Sequence, residues 1–162
     1  NHQFRAYKTD DDKIKVEGGN MMFLRGQSNP LVAERTEVAD SSVFTITESG
    51  SIWLDVTATI SRHSTTLVNL GLSSVDDIRL TMYRIYSLGT PEFIFRGSSV
   101  NAPNPPSHGT NDLDVWTSSL DLHYEICRVE VNAGGEVFIT DQIADGPIWV
   151  TDLVDGALTQ ET

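Results

Sequence analysis

The sequence predicts an all-β fold, an antiparallel β-sandwich of the jelly-roll type with about 8–10 short strands and no long helix. Three observations predict it. Ser51–Ile60 alternates apolar and polar side chains along its length, short apolar runs recur between turn residues, and no window has the spacing of a long amphipathic helix. The chain of 162 residues is long enough for one such domain.

Ser51–Ile60 is the strongest strand signal. Its even-numbered positions are all apolar, a period of two that is typical of a strand with one buried face. Trp53 lies on the opposite face, among polar residues. Glu48–Gly50 predicts a tight turn before this strand, and Ser42–Thr47 is then its expected antiparallel partner.

Further short runs predict the other strands. In chain order they are Lys13–Glu17, Met21–Arg25, Thr65–Leu70, Ile78–Tyr86, Glu92–Arg96, Leu120–Val131, Glu136–Thr140 and Ile148–Val154. The alternation is interrupted at Arg84, and it changes parity again near Cys127–Arg128, where a β-bulge would account for the change. Asn132–Gly135 and Asp145–Pro147 predict turns between the last strands.

The domain organisation follows from the polar segments. Residues 1–13 are mostly polar and predict an N-terminal arm, and residues 14–162 predict a single β-sandwich domain. The Pro-rich segment 98–111 predicts a long crossover or an exposed loop. Polar chain ends are expected to fray unless neighbouring subunits hold them.

The net charge and its distribution disfavour two classes of partner. The net charge is −12, and it is uneven: residues 1–96 hold ten basic and twelve acidic side chains, whereas residues 97–162 hold one basic and eleven acidic. Such a surface disfavours nucleic acid and anionic membranes. No apolar run approaches the roughly 18 residues of a membrane span, so we expect no membrane insertion. The unequal ends favour solubility, a head-to-tail contact between subunits, or weak binding of divalent cations.

Catalytic signatures are missing from the sequence. Cys127 is the one cysteine, which excludes an internal disulfide and predicts a buried thiol. The four histidines have no metal-ligand spacing, and there is no nucleophile elbow, P-loop or dinucleotide fingerprint. We therefore predict no catalytic residue, no cofactor and no metal ligand, and a protein that is not an enzyme. Calcium at Asp10–Asp12 or Asp76–Asp77 is the weaker alternative to solvated acids.

Four aromatic residues are the candidate interface residues: Trp53, Trp116, Phe4 and Tyr7. Trp116 follows the Pro-rich segment, and the last two belong to the predicted arm. An outward tryptophan is typical of a subunit interface or a sugar-binding platform. Packing under a second strand layer is the third explanation for Trp53.

Two stretches resemble the tumour-necrosis-factor/C1q-like jelly-roll family. Val43–Ile60 is similar to that family's strand, Ser-Gly turn and alternating strand, with Ile52-Trp53 where the family has Tyr. Arg128–Ile139 is similar to its late turn, with Gly135 in place of the usual Asp. The resemblance implies a trimeric, non-enzymatic head on a surface fibre, spore coat or virion, and it assigns no functional residue.

These observations predict a structural subunit of an ordered extracellular or viral assembly, such as a virion protein, surface filament or spore-coat component. Its expected partners are copies of itself, joined by exchange of the arm and pairing of Lys13–Arg25 with a neighbour's sheet edge. The alternative is the receptor- or carbohydrate-binding head of a phage or surface fibre.

Overall fold

The computed structural model describes residues 2–25, 32–67, 78–98, 119–150 and 153–160. Within these ranges the chain is all-β, with no helix, which confirms the predicted all-β class. The twelve described strands exceed the 8–10 predicted. The strands are β1 (Ala6–Asp10), β2 (Lys13–Val16), β3 (Gly19–Arg25), β4 (Val32–Val38), β5 (Phe44–Thr45), β6 (Gly50–Leu67), β7 (Ile78–Leu88), β8 (Glu92–Gly97), β9 (Ser119–Val131), β10 (Val137–Gln142), β11 (Ile148–Val150) and β12 (Leu153–Gln160).

The largest sheet is built around β6. Its strands follow the order β10-β9-β6-β7-β12, and all of its pairs are antiparallel. β6 extends over 18 residues because three neighbours share it. On one side β8 pairs with Gly50–Asp55 and β7 with Ala58–Leu67, and on the other side β9 pairs with Gly50–Thr59.

Two smaller sheets complete the described fold. One has the order β1-β2-β5 and the other the order β11-β3-β4, in which β11 runs parallel to β3. All three sheets contribute to one apolar core. Its wholly buried large side chains include Phe4, Ile14, Met21, Ile52, Leu54, Leu122 and Ile126.

The parity predicted for the long strand is confirmed. Ile52, Leu54, Val56 and Ala58 are all buried, whereas the side chains between them are partly or fully exposed. The predicted change of parity in β9 is also confirmed. The ladder between β6 and β9 skips Ile126, so that two consecutive side chains of β9 are buried, one residue before the predicted position.

The irregularity predicted at Arg84 lies two residues further along the chain. The ladder of β6 with β7 pairs Thr59 with Ser87 and then Ile60 with Ile85. Tyr86 is therefore the extra residue, which is the pattern of a bulge on β7.

Three strand predictions were wrong in their pairing or extent. Ser42–Thr47 does not pair with β6, because Phe44 and Thr45 form β5 and pair with β2. The predicted strand Thr65–Leu70 begins inside β6, which continues through to Leu67 and includes His63. The predicted closing strand Ile148–Val154 is divided between β11 and the start of β12.

Two strands, and most of a third, had no counterpart in the sequence prediction. β1 lies within the segment predicted as an arm, and it pairs with β2 of the same chain. β4 carries three charged side chains and has no wholly apolar face. β12 includes most of the C-terminal tail, which was expected to be irregular.

Candidate interaction surfaces

The predicted interface residues do not lie on one surface. Phe4 is wholly buried in the core, where its ring packs edge-on against Phe93 with centroids 6.3 Å apart. Tyr7 is partly buried on β1, and Trp53 is partly buried on β6. Trp116 and most of the 98–111 segment lie outside the described residues.

The outward side of β8, β6 and β9 forms the first candidate surface, which we call the Trp53 face. Because side chains of a strand alternate, the odd-numbered residues of β6 point away from the core. The register places charged residues of both neighbouring strands beside them. The face comprises Ser51, Trp53, Asp55, Thr57, Arg96, Asp121, His123, Glu125 and Arg128.

Asp55 lies at the centre of the Trp53 face. Arg96 donates two hydrogen bonds to its carboxylate, one of them 3.1 Å long from Nη1 to Oδ1, and His123 Nδ1 lies 2.9 Å from Oδ1. The Arg96 guanidinium carbon also lies 5.9 Å from the centre of the Trp53 ring. Burial raises the pKa of Asp55, but the hydrogen bonds from Arg96 and His123 more than offset it, so the pKa is lowered.

Glu125 is held in a second network on the same face. Ser51 Oγ donates a 2.6 Å hydrogen bond to Glu125 Oε2, and Arg128 donates from Nε and Nη2 at 3.1 Å each. Burial raises the pKa of Glu125, but the Arg128 and Ser51 hydrogen bonds outweigh it and the pKa is lowered. Asp55 and Glu125 are therefore both ionised near neutral pH, and neither is suited to general acid catalysis there.

A shallow groove lies at one end of the Trp53 face. Its volume is about 450 Å³. Its lining combines apolar surface with hydroxyl, carboxylate and guanidinium groups, and it includes Ser49, Ser51, Trp53, Arg96, Glu125, Arg128 and Thr140. Such a groove offers hydrogen bonds to a polar ligand.

Cys127 is wholly buried, as predicted. Burial raises the pKa of its thiol to about 11, so it is protonated at neutral pH and is a poor nucleophile. No three His, Cys, Asp or Glu side chains of the described part of the chain are arranged to hold a metal ion. Within the same ranges, the chain has no helix that could cross a membrane.

The outward side of the β11-β3-β4 sheet forms the second candidate surface, which we call the Trp149 face. Trp149 on β11 pairs in register with Met22 on β3, and Met22 pairs in turn with Arg35 on β4. Trp149 is 49% exposed and Leu24 is 44% exposed. The face comprises Met22 and Leu24 on β3, Trp149 on β11, and Ala33, Arg35 and Glu37 on β4.

Sequence reasoning did not place these residues at a surface. The run of four apolar residues that begins at Met21 was interpreted only as a short strand. In a sheet, such a run places apolar side chains on both sides. Met21 and Phe23 are buried, so Met22 and Leu24 face outwards. An unbroken apolar run in a short strand was therefore the available signal.

Comparison with known proteins yields no relative: no family model, no curated protein and no solved structure matches the chain. The class of the protein therefore rests on its fold and its surfaces.

Proposed function

We propose that the protein is a non-enzymatic structural subunit that self-associates in an ordered extracellular or viral assembly. The Trp149 face is the contact in this proposal. The observation that carries it is the exposure of Trp149 and Leu24 on the outer side of a sheet that ends in β4. Such a subunit would be a virion protein, a component of a surface filament or a component of a spore coat.

The composition of the Trp149 face supports a protein partner. Isolated exposed apolar residues are common, but a tryptophan, a methionine and a leucine on adjacent strands form a patch of the kind that marks an interface. The flat side of a sheet offers few pockets for a small ligand. These large apolar side chains therefore favour a partner surface that is itself flat and apolar.

A second copy of the chain is the occupant that the charges favour. Arg35 and Glu37 alternate with inward residues on β4, so the edge beside the apolar patch carries both signs of charge. A surface with both signs in a short repeat is complementary to itself in an antiparallel arrangement. A strongly basic or strongly acidic edge would instead favour a different partner.

The finer features of the fold belong to the same proposal. The jelly-roll arrangement, and with it the likeness to the tumour-necrosis-factor/C1q-like family, belongs to this proposal. Antiparallel pairing in the largest sheet and one shared core support the jelly roll. The net charge of −12 supports the absence of direct nucleic-acid contacts, and the lack of an apolar run near 18 residues supports the absence of membrane insertion. Localisation at a cell surface or in a virion follows from the assembly proposed.

Sedimentation velocity over a wide concentration range tests self-association. We expect species heavier than the 17.9 kDa chain, and we expect Trp149→Ser to shift the distribution towards the monomer. Phe138→Ser is the matched control, because Phe138 is 45% exposed on β10 and has the Lys8 ammonium 5.3 Å from its ring centre. A wild-type chain that stays monomeric throughout would contradict the proposal.

A second candidate function is a receptor- or carbohydrate-binding head. The groove of about 450 Å³ beside Trp53 favours it, because an aromatic ring with nearby planar charged groups suits sugar hydroxyls. A glycan array probed with the wild-type chain and with Arg128→Ala tests it. Binding that the substitution abolishes would support this function, and an array without binding would remove it.

A further inference from the structure

We infer that two copies of the chain pair their β4 strands antiparallel about a two-fold axis at Thr36. This inference rests on the proposed self-association and adds a second contact to the Trp149 face, at the β4 edge of the same sheet. Arg35 of each copy then lies opposite Glu37 of the other, and Thr36 lies opposite its own counterpart. The two β11-β3-β4 sheets join into one six-stranded sheet.

Among the described residues, the outer edge of β4 has no strand partner. β4 pairs with β3 along its whole length, from Val32 to Val38. No described strand pairs with its other side. An edge strand presents unpaired backbone N–H and C=O groups, and a second strand satisfies them without any change of fold.

The two faces of the sheet restrict the register. A two-fold axis perpendicular to the sheet keeps the outward side of one copy continuous with the outward side of the other. Opposing residues must then point to the same side, because paired residues in a sheet share a face. An odd-numbered residue of β4 therefore lies opposite an odd-numbered residue of the other copy. The pair at the centre of the register is then one residue opposite its own counterpart.

Charge selects one centre among the candidates. An axis at Glu34, Arg35 or Glu37 would place that charged side chain directly opposite its own copy, which is destabilising. An axis at Thr36 avoids all three clashes. It also forms two Arg35–Glu37 pairs, and threonines that oppose each other in a sheet contribute favourably.

Arg35 and Glu37 are suited to this contact. Both are exposed on the Trp149 face, and neither has an ion-pair partner among the described residues. Charged residues on an edge strand usually prevent association. Here the same charges form attractive pairs in the Thr36 register and oppose the registers centred on Arg35 and Glu37, so they favour a defined dimer over open-ended stacking.

Charge reversal tests the register directly. Arg35→Glu places Glu opposite Glu37 twice, and Glu37→Arg places Arg opposite Arg35 twice. We expect each variant alone to self-associate about tenfold or more weakly than the wild type, because two attractive pairs become repulsive. An equimolar mixture of the two variants recreates two Glu–Arg pairs, and we expect it to associate as tightly as the wild type.

Sedimentation equilibrium of each variant and of the mixture provides the measurement. Recovery in the mixture also shows that both variants are folded, since an unfolded chain could not restore binding. A mixture no tighter than its components would overturn the register. Wild-type association that Trp149→Ser weakens, while both charge variants associate normally, refutes this inference and leaves the proposed function intact. A monomeric wild type refutes both.

Discussion

At the scale of single residues, Asp55 is the charge on which the Trp53 face depends, because it bonds both Arg96 and His123. We expect Asp55→Asn to lower the free energy of unfolding at neutral pH by about 1–3 kcal/mol, since it leaves a partly buried guanidinium without its counter-charge. The pKa of Asp55 is lowered in the fold. Its contribution is therefore complete above its ordinary pKa of 3.8 and is lost as the pH falls through the folded value.

Urea unfolding of the wild type and the variant, from neutral pH down to the lowest pH at which both fold, measures that contribution. The matched control is Asp141→Asn, because Asp141 is exposed and lies 3.8 Å from Arg128. We expect it to change stability by less than about 0.5 kcal/mol. Equal losses for the two variants at neutral pH, or a deficit for Asp55→Asn that persists unchanged in acid, would contradict the role of this carboxylate.

Phe4 is a residue whose burial the local sequence does not predict. An aromatic residue among polar neighbours has no periodicity, so it was assigned to an interface with other subunits. The structure buries it wholly, at a positive φ of 59° that bulky residues rarely adopt. A Cβ at Gly19 would lie 2.8 Å from the ring, so the glycine makes room for it. Packing between residues distant in sequence decides such a position.

At the scale of elements, the central sheet depends on a close approach at Gly50. This residue pairs with Gly97 of β8 on one side and with Val129 of β9 on the other. A Cβ there would lie 2.7 Å from the Gly97 Cα. We expect Gly50→Ala to destabilise the protein by about 1–3 kcal/mol, because the strands must separate to relieve an overpacked contact between main chains.

Thermal unfolding followed by circular dichroism checks this expectation. Gly134→Ala is the matched control, since the nearest atom to a Cβ there is Asn132 Oδ1 at 3.5 Å, an ordinary contact. We expect the control to leave the midpoint almost unchanged. If both variants lowered the midpoint equally, backbone entropy rather than the approach of β6 to β8 would explain the loss.

The same scale explains which elements the sequence could predict. Between Ser51 and Ile60, β6 has one wholly apolar face, so its buried parity there follows from local alternation. Its continuation to Leu67 has no such alternation and was not predicted. β4 has three charged residues among its seven and no regular alternation, so local patterns miss it. A strand with an exposed face needs few apolar side chains. The pairing of β5 with β2, rather than with β6, is decided by distant contacts such as the 2.9 Å hydrogen bond from Ile46 N to Asp12 O.

The two candidate surfaces also differ in how far the sequence could predict them. The outward position of Trp53 follows from the parity of its strand, and its network with Arg96 requires the neighbouring strand β8. The Trp149 face combines the consecutive strands β3 and β4 with β11, which is distant in sequence and joins in parallel. Since strand order is set by the whole fold, no local pattern could have brought Trp149 beside Met22.

At the scale of the whole molecule, the net charge of −12 opposes the association of identical chains. The screening length falls from about 30 Å at 0.01 M salt to about 10 Å at 0.1 M, which removes repulsion between distant charges before it weakens contacts between neighbours. The two Arg35–Glu37 pairs are each worth only about 0–1 kcal/mol at a surface. We therefore expect wild-type self-association to strengthen as salt rises over this range.

The charge-reversal variants sharpen this prediction, because they test both electrostatic effects in one series. General repulsion acts on the wild type and on Arg35→Glu alike, so both should associate more tightly in salt. The local penalty at Glu37 acts only on the variant, and its screening should narrow the gap between the two dissociation constants. Sedimentation equilibrium across the salt series measures both trends. Weaker wild-type association in salt would mean that attraction between opposite charges, rather than the apolar Trp149 face, holds the copies together.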